Sequence, residues 1–544
     1  MATFHVGQST SNLQRGGACS NCRRRKVKCD GVRSGCNQCR LRPPRSGTPC
    51  VFDLDAGPAH HTAVQLQDTI KLLKARITQL EQASGHSGPQ VLLQEPYRSP
   101  TPQAAGLSRS ASRSSLTPES VLEFLVLQEP PPEIISKLIN TFLDKFANTG
   151  YFFLEPLRFF NSALLPLPLG HFDRPAQSLL NVVYLWGTVF STSIPDPSTE
   201  QTFLHNALQS LPGDIQRFPS HPRLVLETLQ AEVMLSLYYV HVALPAPGRY
   251  HSAAAMSLAL SAGLHQRSPQ SHPVPYFPLV DPLLPPALNA TEEAERINAF
   301  WAVVIVDNCW VAAEGHPSTT PYGSVIDTPW QSGSDGVGGA TITKFLKGDD
   351  QHGHATVTLF TKASILLERI VAFSVRSNTI DAAALDSLDQ RLYTFHSSLP
   401  HGPGGKALLM AHALADLAIV RLHSPFSHSS DTSRYKYLSA ANRIVSSMQT
   451  VEPTAASHQT YPILGPLCAT VCTVYIGELA SLRMRGDTQA RIQYQEIDAR
   501  VASLLDTMAS LAPTSPIIQR CLLSTRQAYG ALGQEVRREW RDNV

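Results

Sequence analysis

ACSNCRRRKVKCDGVRSGCNQC, residues 18–39, carries five cysteines and six Lys or Arg, and Cys50 follows as a sixth cysteine. The spacing from Cys19 is C-x2-C-x6-C-x6-C-x2-C-x10-C. Two C-x2-C pairs, Cys19/Cys22 and Cys36/Cys39, are each followed by one more cysteine, Cys29 and Cys50. Thiolates at such spacings hold tetrahedral Zn²⁺. Two ions need eight ligand positions, so six sulfurs suffice only if two of them bridge. Six thiolates and two Zn²⁺ carry a formal charge of −2, which the basic surroundings offset. The alternative is one zinc on four cysteines with two spectators.

CSNCRRRKVKCD…CNQC…C closely resembles the fungal-type Zn₂Cys₆ binuclear cluster of DNA-binding transcription factors. The resemblance implies two Zn²⁺ per chain, with Cys19 and Cys36 bridging and Cys22, Cys29, Cys39 and Cys50 terminal. The loop DGVRSG has Ser34-Gly35 where many members carry a proline, and the last spacing, RLRPPRSGTP, is longer than usual. Both departures fall in loops.

Each C-x2-C predicts a short helix. The first, about residues 22–29, would carry Arg23, Arg24, Arg25, Lys26 and Lys28, with Lys26 one turn after Cys22 on the same face. In the resembling family the residue at this position reads a CGG-type triplet in the major groove, and a Lys on guanine O6 and N7 discriminates by roughly 1–3 kcal/mol. Arg23, Arg25 and Lys28 suit phosphates. The second helix, near 37–42, offers Arg40 and Arg42 to the backbone before Pro43-Pro44 ends it. A nuclear-import signal is the plainer use of RRRKVK, although import alone does not need the cysteines.

The charge distribution agrees with an anionic partner. Residues 1–50 hold ten Lys or Arg and one acid, Asp30, whereas the whole chain of 544 residues is +2. Double-stranded DNA is the simplest match. No apolar signal segment opens the chain, and the longest apolar stretches, 299–313 and 463–480, contain Asp307, Pro466 and Glu478. They read as core helices, so no membrane partner is expected. An intracellular, reducing compartment and a metal-bound cluster follow, and the resemblance places the protein in the nucleus. The remaining cysteines, Cys309, Cys468, Cys472 and Cys521, read as small core residues.

A three-base-pair reader needs a second copy. Ala63, Leu66, Ile70, Leu73, Ile77 and Leu80 step by three and four, a heptad seam that favours a parallel homodimer. A short amphipathic helix packed on its own body is the alternative. The expected organisation is a disordered N-terminus (1–17), a Zn₂Cys₆ DNA-binding domain (18–52), a linker (53–62), a coiled-coil dimerisation helix (63–83), a disordered Ser/Pro-rich linker (84–120) and an all-helical regulatory domain (121–544).

The regulatory region reads as mostly α. PPEIISKLINTFLDKFANTGYFF (131–153) predicts a helix with Ile134, Leu138, Phe142 and Phe146 inward, and 223–242 a largely buried one. A Pro-Gly loop should follow, then a helix within 248–266 stopped by Gly263. Seven prolines in 269–286 predict a loop, and Glu292, Glu293 and Glu295 the start of another helix. Later helices are expected at 381–395 and 494–511. GRYHSAAAMSLALSAGLHQ, ERINAFWAVVIVDNCWVAAEGHP…VIDTP and RLHSPF resemble the fungal transcription-factor regulatory domain, which implies a helical body that recruits transcription machinery or co-regulators and can take a small-molecule effector.

Enzyme signatures are missing. There is no HExxH, GxSxG or Walker loop; GSDGVGG (333–339) follows no strand; and His60, His61, His412, His423 and His428 have no ligand partners in sequence. Asn289-Ala290-Thr291 matches a glycosylation sequon that an intracellular chain would not use. The reading is a zinc-dependent, sequence-specific transcription factor acting on RNA polymerase II genes, not an enzyme. A repressor or small-molecule-sensing regulator is the alternative, and a metabolic enzyme with an incidental metal-binding head a more distant one.

Overall fold

The computed structural model describes residues 18–30, 32, 36–41, 50, 129–191, 197–266, 283–331, 340–350, 353–376, 382–402, 405–449, 463–485 and 487–542. The expected N-terminal segment, coiled coil and Ser/Pro-rich linker lie outside these residues. So do the seam residues Leu66, Ile70, Leu73, Ile77 and Leu80, together with Arg42, His60, His61 and the glycine-rich 333–339. The chain divides into two units, Met1–Arg113 and Ser114–Val544. No described residue lies in a strand.

The first unit contributes two short helices, α1 (Ser20–Arg24) and α2 (Asn37–Leu41). Its buried core among the described residues is Cys19, Cys22, Cys29, Cys36 and Cys39. So small an apolar set cannot offset the entropy of ordering the chain, and metal binding supplies the rest.

Every regular element described in the second unit is a helix. α3 (Pro132–Phe146), α4 (Pro156–Ala163), α5 (Gln177–Phe190), α6 (Pro197–Gln216), α7 (Arg223–His241), α8 (Pro245–Ser261) and α9 (Ala290–Glu314) form its first part. α10 (Thr341–Lys347), α11 (Thr356–Arg376), α12 (Ala382–Ser398), α13 (Gly405–His423), α14 (Asp431–Gln449), α15 (Leu464–Arg485), α16 (Thr488–Leu511) and α17 (Pro516–Asp542) follow. Neighbours in sequence mostly pack on one another; in addition α15 touches α9, and α17 touches α7.

α7 is buried over Leu224–His241, polar residues included. Those residues find partners on neighbouring segments, as burial requires. Gln230 accepts from the Phe153 amide (2.8 Å) and donates to the Tyr151 carbonyl (3.0 Å). Glu232 meets His251 at 2.6 Å. Ser236 donates to the Gly248 carbonyl and accepts from Trp310 Nε1, both at 2.9 Å. On α9, Asp307 Oδ2 accepts from the amides and hydroxyls of Thr319 and Thr320 at 2.8–3.0 Å. Three helices (Ala290–Glu314, Gly405–Phe426 and Leu464–Arg485) are long and apolar enough to cross a membrane, and each buries most of its apolar window inside the body.

Two expectations shift. α3 turns Ile135, Leu138, Ile139, Phe142 and Phe146 inward and leaves Ile134 exposed, because the packed face follows three- and four-residue steps from Ile135. α8 begins at Pro245, inside the expected Pro-Gly loop, since proline's fixed φ suits the first helical turn. Asn289 caps α9 by accepting from the Glu292 amide (2.9 Å). Gly263, at φ 72°, stands just past α8 as expected, in the left-handed region that glycine enters without strain.

Candidate metal centre and nucleic-acid interface

The cysteines of the first unit converge. Cys19 Sγ lies 3.7 Å from both Cys36 and Cys39, and Cys22 Sγ lies 3.6 Å from Cys36 and 4.0 Å from Cys39. A tetrahedral Zn²⁺ with Zn–S of about 2.3 Å needs sulfurs roughly 3.8 Å apart. Two sets of four meet that geometry: Cys19, Cys22, Cys29 and Cys36, and Cys19, Cys36, Cys39 and Cys50, each with all sulfurs within 4.8 Å of one another. Cys19 and Cys36 belong to both. The donor set therefore fits two zinc ions sharing two thiolates.

The backbone prepares these sulfurs for negative charge. The Cys22 amide donates to Cys19 Sγ and the Cys36 amide to Cys50 Sγ, both at 3.4 Å. Burial pushes the Cys22 and Cys36 thiols up. At Cys19 burial also opposes ionisation, but the hydrogen bonds it accepts, that from the Cys22 amide foremost, bring it down to about 6. So many thiols in one place cannot all ionise alone, and cations at the centre are what would let them.

α1 is shorter than the 22–29 helix expected from sequence. It ends at Arg24, the Arg25 amide donates to the Asn21 carbonyl and the Val27 amide to the Cys22 carbonyl (both 3.1 Å), and Lys26 sits at φ 51°. That is a Schellman-type stop with Lys26 in the left-handed position. The reason lies in the cluster. In a continuous helix Cys29 would rise about 10 Å above Cys22, whereas both sulfurs belong to one set spanning no more than 4.8 Å. Lys26 therefore does not share Cys22's helical face; it projects from a fixed turn.

Arg24, Arg25, Lys26, Lys28 and Arg40 are exposed. Arg23 lies on α1, with a side chain outside the described set. Sequence reasoning missed Asp30. Its carboxylate accepts from the Asn37 amide at 3.0 Å and the Val32 amide at 3.5 Å, fastening the loop between the helices to the start of α2. The available signal was that Asp30 is the one acid in the first fifty residues.

In the second unit the histidines read from sequence as non-ligands are satisfied or exposed. His423 bridges Asp389 (3.1 Å) and Ser433 (3.2 Å), His412 Nε2 meets the Pro400 carbonyl (3.0 Å), and His428 is exposed.

Residues 17–57 match the fungal Zn(2)-Cys(6) binuclear cluster domain, which takes two zinc ions and binds DNA. Residues 139–371 match the fungal specific transcription factor domain, and the two matches together span just over half of the chain. Both are transcription-factor domains rather than enzyme families. No individual curated protein matches the chain. With the paired cysteine sets in the first unit and a helical second unit following it in sequence, the chain belongs to the fungal zinc-cluster transcription factors.

Proposed function

We propose that the protein is a nuclear regulator of RNA polymerase II transcription that binds paired CGG-type triplets as a homodimer. Support comes first from the two cysteine sets that share Cys19 and Cys36, beside a run of exposed cations from Arg24 to Lys28. In this reading Cys19 and Cys36 bridge the ions, and Cys22, Cys29, Cys39 and Cys50 complete the two tetrahedra. Lys26 donates to guanine O6 and N7, while Arg23, Arg24, Arg25, Lys28, Arg40 and Arg42 hold phosphates.

One cluster contacts about three base pairs, which cannot single out a genomic site, so pairing is part of the proposal. Leu66, Ile70, Leu73, Ile77 and Leu80 supply the seam between copies, and residues 53–62 set the half-site spacing. Residues 84–120 tether the head to a regulatory body running from 121 to 544, which engages transcription machinery or co-regulators.

Selection of bound sequences from random duplex DNA by the full chain tests this reading. Enrichment of two CGG-type triplets at a fixed separation, lost on zinc chelation, is the expected result. Failure to enrich any motif with zinc present contradicts it.

A further inference from the structure

The helical body contains a cavity of about 460 Å³, within the range of roughly 300–1,000 Å³ usual for small-molecule sites. It lies where the C-terminal ends of α7, α9 and α13 meet α14, α15 and the first turns of α17. Tyr239, Trp310, Val420, Val474 and Ile517 give it apolar walls, and Ser424, Thr470 and Thr473 add hydroxyls. Two guanidinium side chains, Arg421 and Arg520, also line it. Among the described lining residues the only acid is Glu314, which Arg249 engages.

Arg421 stands apart from the ion-paired arginines of this body. Arg174 pairs with Glu129, Arg296 with Glu292, Arg434 with Glu478 and Arg443 with Asp416. Arg421 makes no hydrogen bond or ion pair with the described residues, and its Nε is buried without a partner. Burial pulls its pKa down, with no carboxylate to offset the effect. A guanidinium stays charged at any ordinary pH, so an unpaired, partly desolvated one is costly. Gly315 lies beside it: a methyl group there would rest in van der Waals contact with the guanidinium nitrogens, at 3.8 Å. Arg520 is held in place, donating to the Ala243 carbonyl at 2.7 Å.

We propose that this cavity is a ligand site for a small organic carboxylate with an apolar body, the acid group pairing with Arg421 and Arg520 and the apolar part lying against Trp310, Val474 and Ile517. The proposal rests on the reading of the body as regulatory and supplies the chemistry of its effector. The volume suits a small molecule rather than a folded partner. A ligand there would touch α7 and α9, inside the matched segment 139–371, and α13, α15 and α17 beyond it.

The test is calorimetric titration and thermal melting of the zinc-loaded full chain with hexanoate, decanoate, 3-phenylpropanoate and indole-3-acetate, each beside its primary amide. At least one acid should bind saturably, raise the melting midpoint and exceed its amide by about tenfold or more, as a charge-assisted pair gives. Arg421→Gln should erase that preference, and Arg421→Lys should keep part of it. Thr473→Trp, placed at an exposed wall position, should block acid and amide alike. No saturable acid binding, equal binding of acid and amide, or an unchanged preference in a folded Arg421→Gln chain each overturns the site. If Arg421→Gln loses its helical signal, Thr473→Trp decides: retained binding overturns the proposal. Cys29→Ser, which disables the DNA-reading head, should bind the acid as the parent does, so failure of DNA recognition and failure of this site are told apart.

Discussion

At the residue scale, Lys26 joins backbone to recognition. Its φ of 51° is strained for a residue with a Cβ, by about 1–2 kcal/mol, and glycine would be at ease there. A lysine held in that turn gains its use from the side chain. Lys26→Gly should therefore fold at least as stably as Lys26→Ala in the zinc-loaded chain. Both should lose about 1–3 kcal/mol of guanine discrimination, read by competition with base-substituted duplexes. Wild-type base preference in Lys26→Gly would move the base contact to another side chain. The cysteine spacing was legible because metal ligation is written in residue type and separation. The position of Lys26 was not, because a helical reading of RRRKVK ignores the return that Cys29 must make to the cluster.

At the element scale, α5 crosses α3 closely at Gly187. A Cβ there would sit 2.6 Å from the Leu138 carbonyl oxygen and 2.9 Å from its Cα, both backbone atoms that cannot swing aside. Gly187→Ala should destabilise the body by about 1–3 kcal/mol or more by forcing the helices apart. Gly477 on α15 offers the contrast, with nothing within 4 Å of a new Cβ. Gly477→Ala should gain about 0.5–1 kcal/mol from helix propensity alone. Denaturant midpoints of the two variants check both signs. Helices such as α7 and α9 could be read from their apolar runs, and α9 also from the acids of its first turn. The phase of α3 and the start of α8 could not, since partner helices decide which of two adjacent isoleucines faces in, and Pro245 serves a loop or a first turn equally well.

At the scale of the whole molecule, stability carries a pH dependence from His241. It is buried beside Trp186, its Nδ1 has no partner, and burial lowers its pKa to about 4. In the unfolded chain it takes a proton near 6.5. Between those values the unfolded state binds more protons, so the folded body loses stability as pH falls from about 6.5 to about 4, by roughly 3 kcal/mol in total at most. His241→Gln should flatten that part of the profile in thermal melts across the same window; an unchanged slope would assign the acid sensitivity to other groups. The division into a basic cysteine-rich head and a helical body was visible in composition and charge. The cavity was not, because its walls come from positions between Tyr239 and Ser524 that only the packing brings together.

The account depends most directly on one binuclear site in which Cys19 and Cys36 serve two metal ions. Zinc content per full chain, measured by elemental analysis of the purified protein, tests it. Two ions per chain are expected, with both depleted in Cys19→Ser and both retained in Cys468→Ser, whose thiol lies in the helical core. One ion per parent chain, or a Cys19→Ser chain that keeps its full zinc, would contradict it.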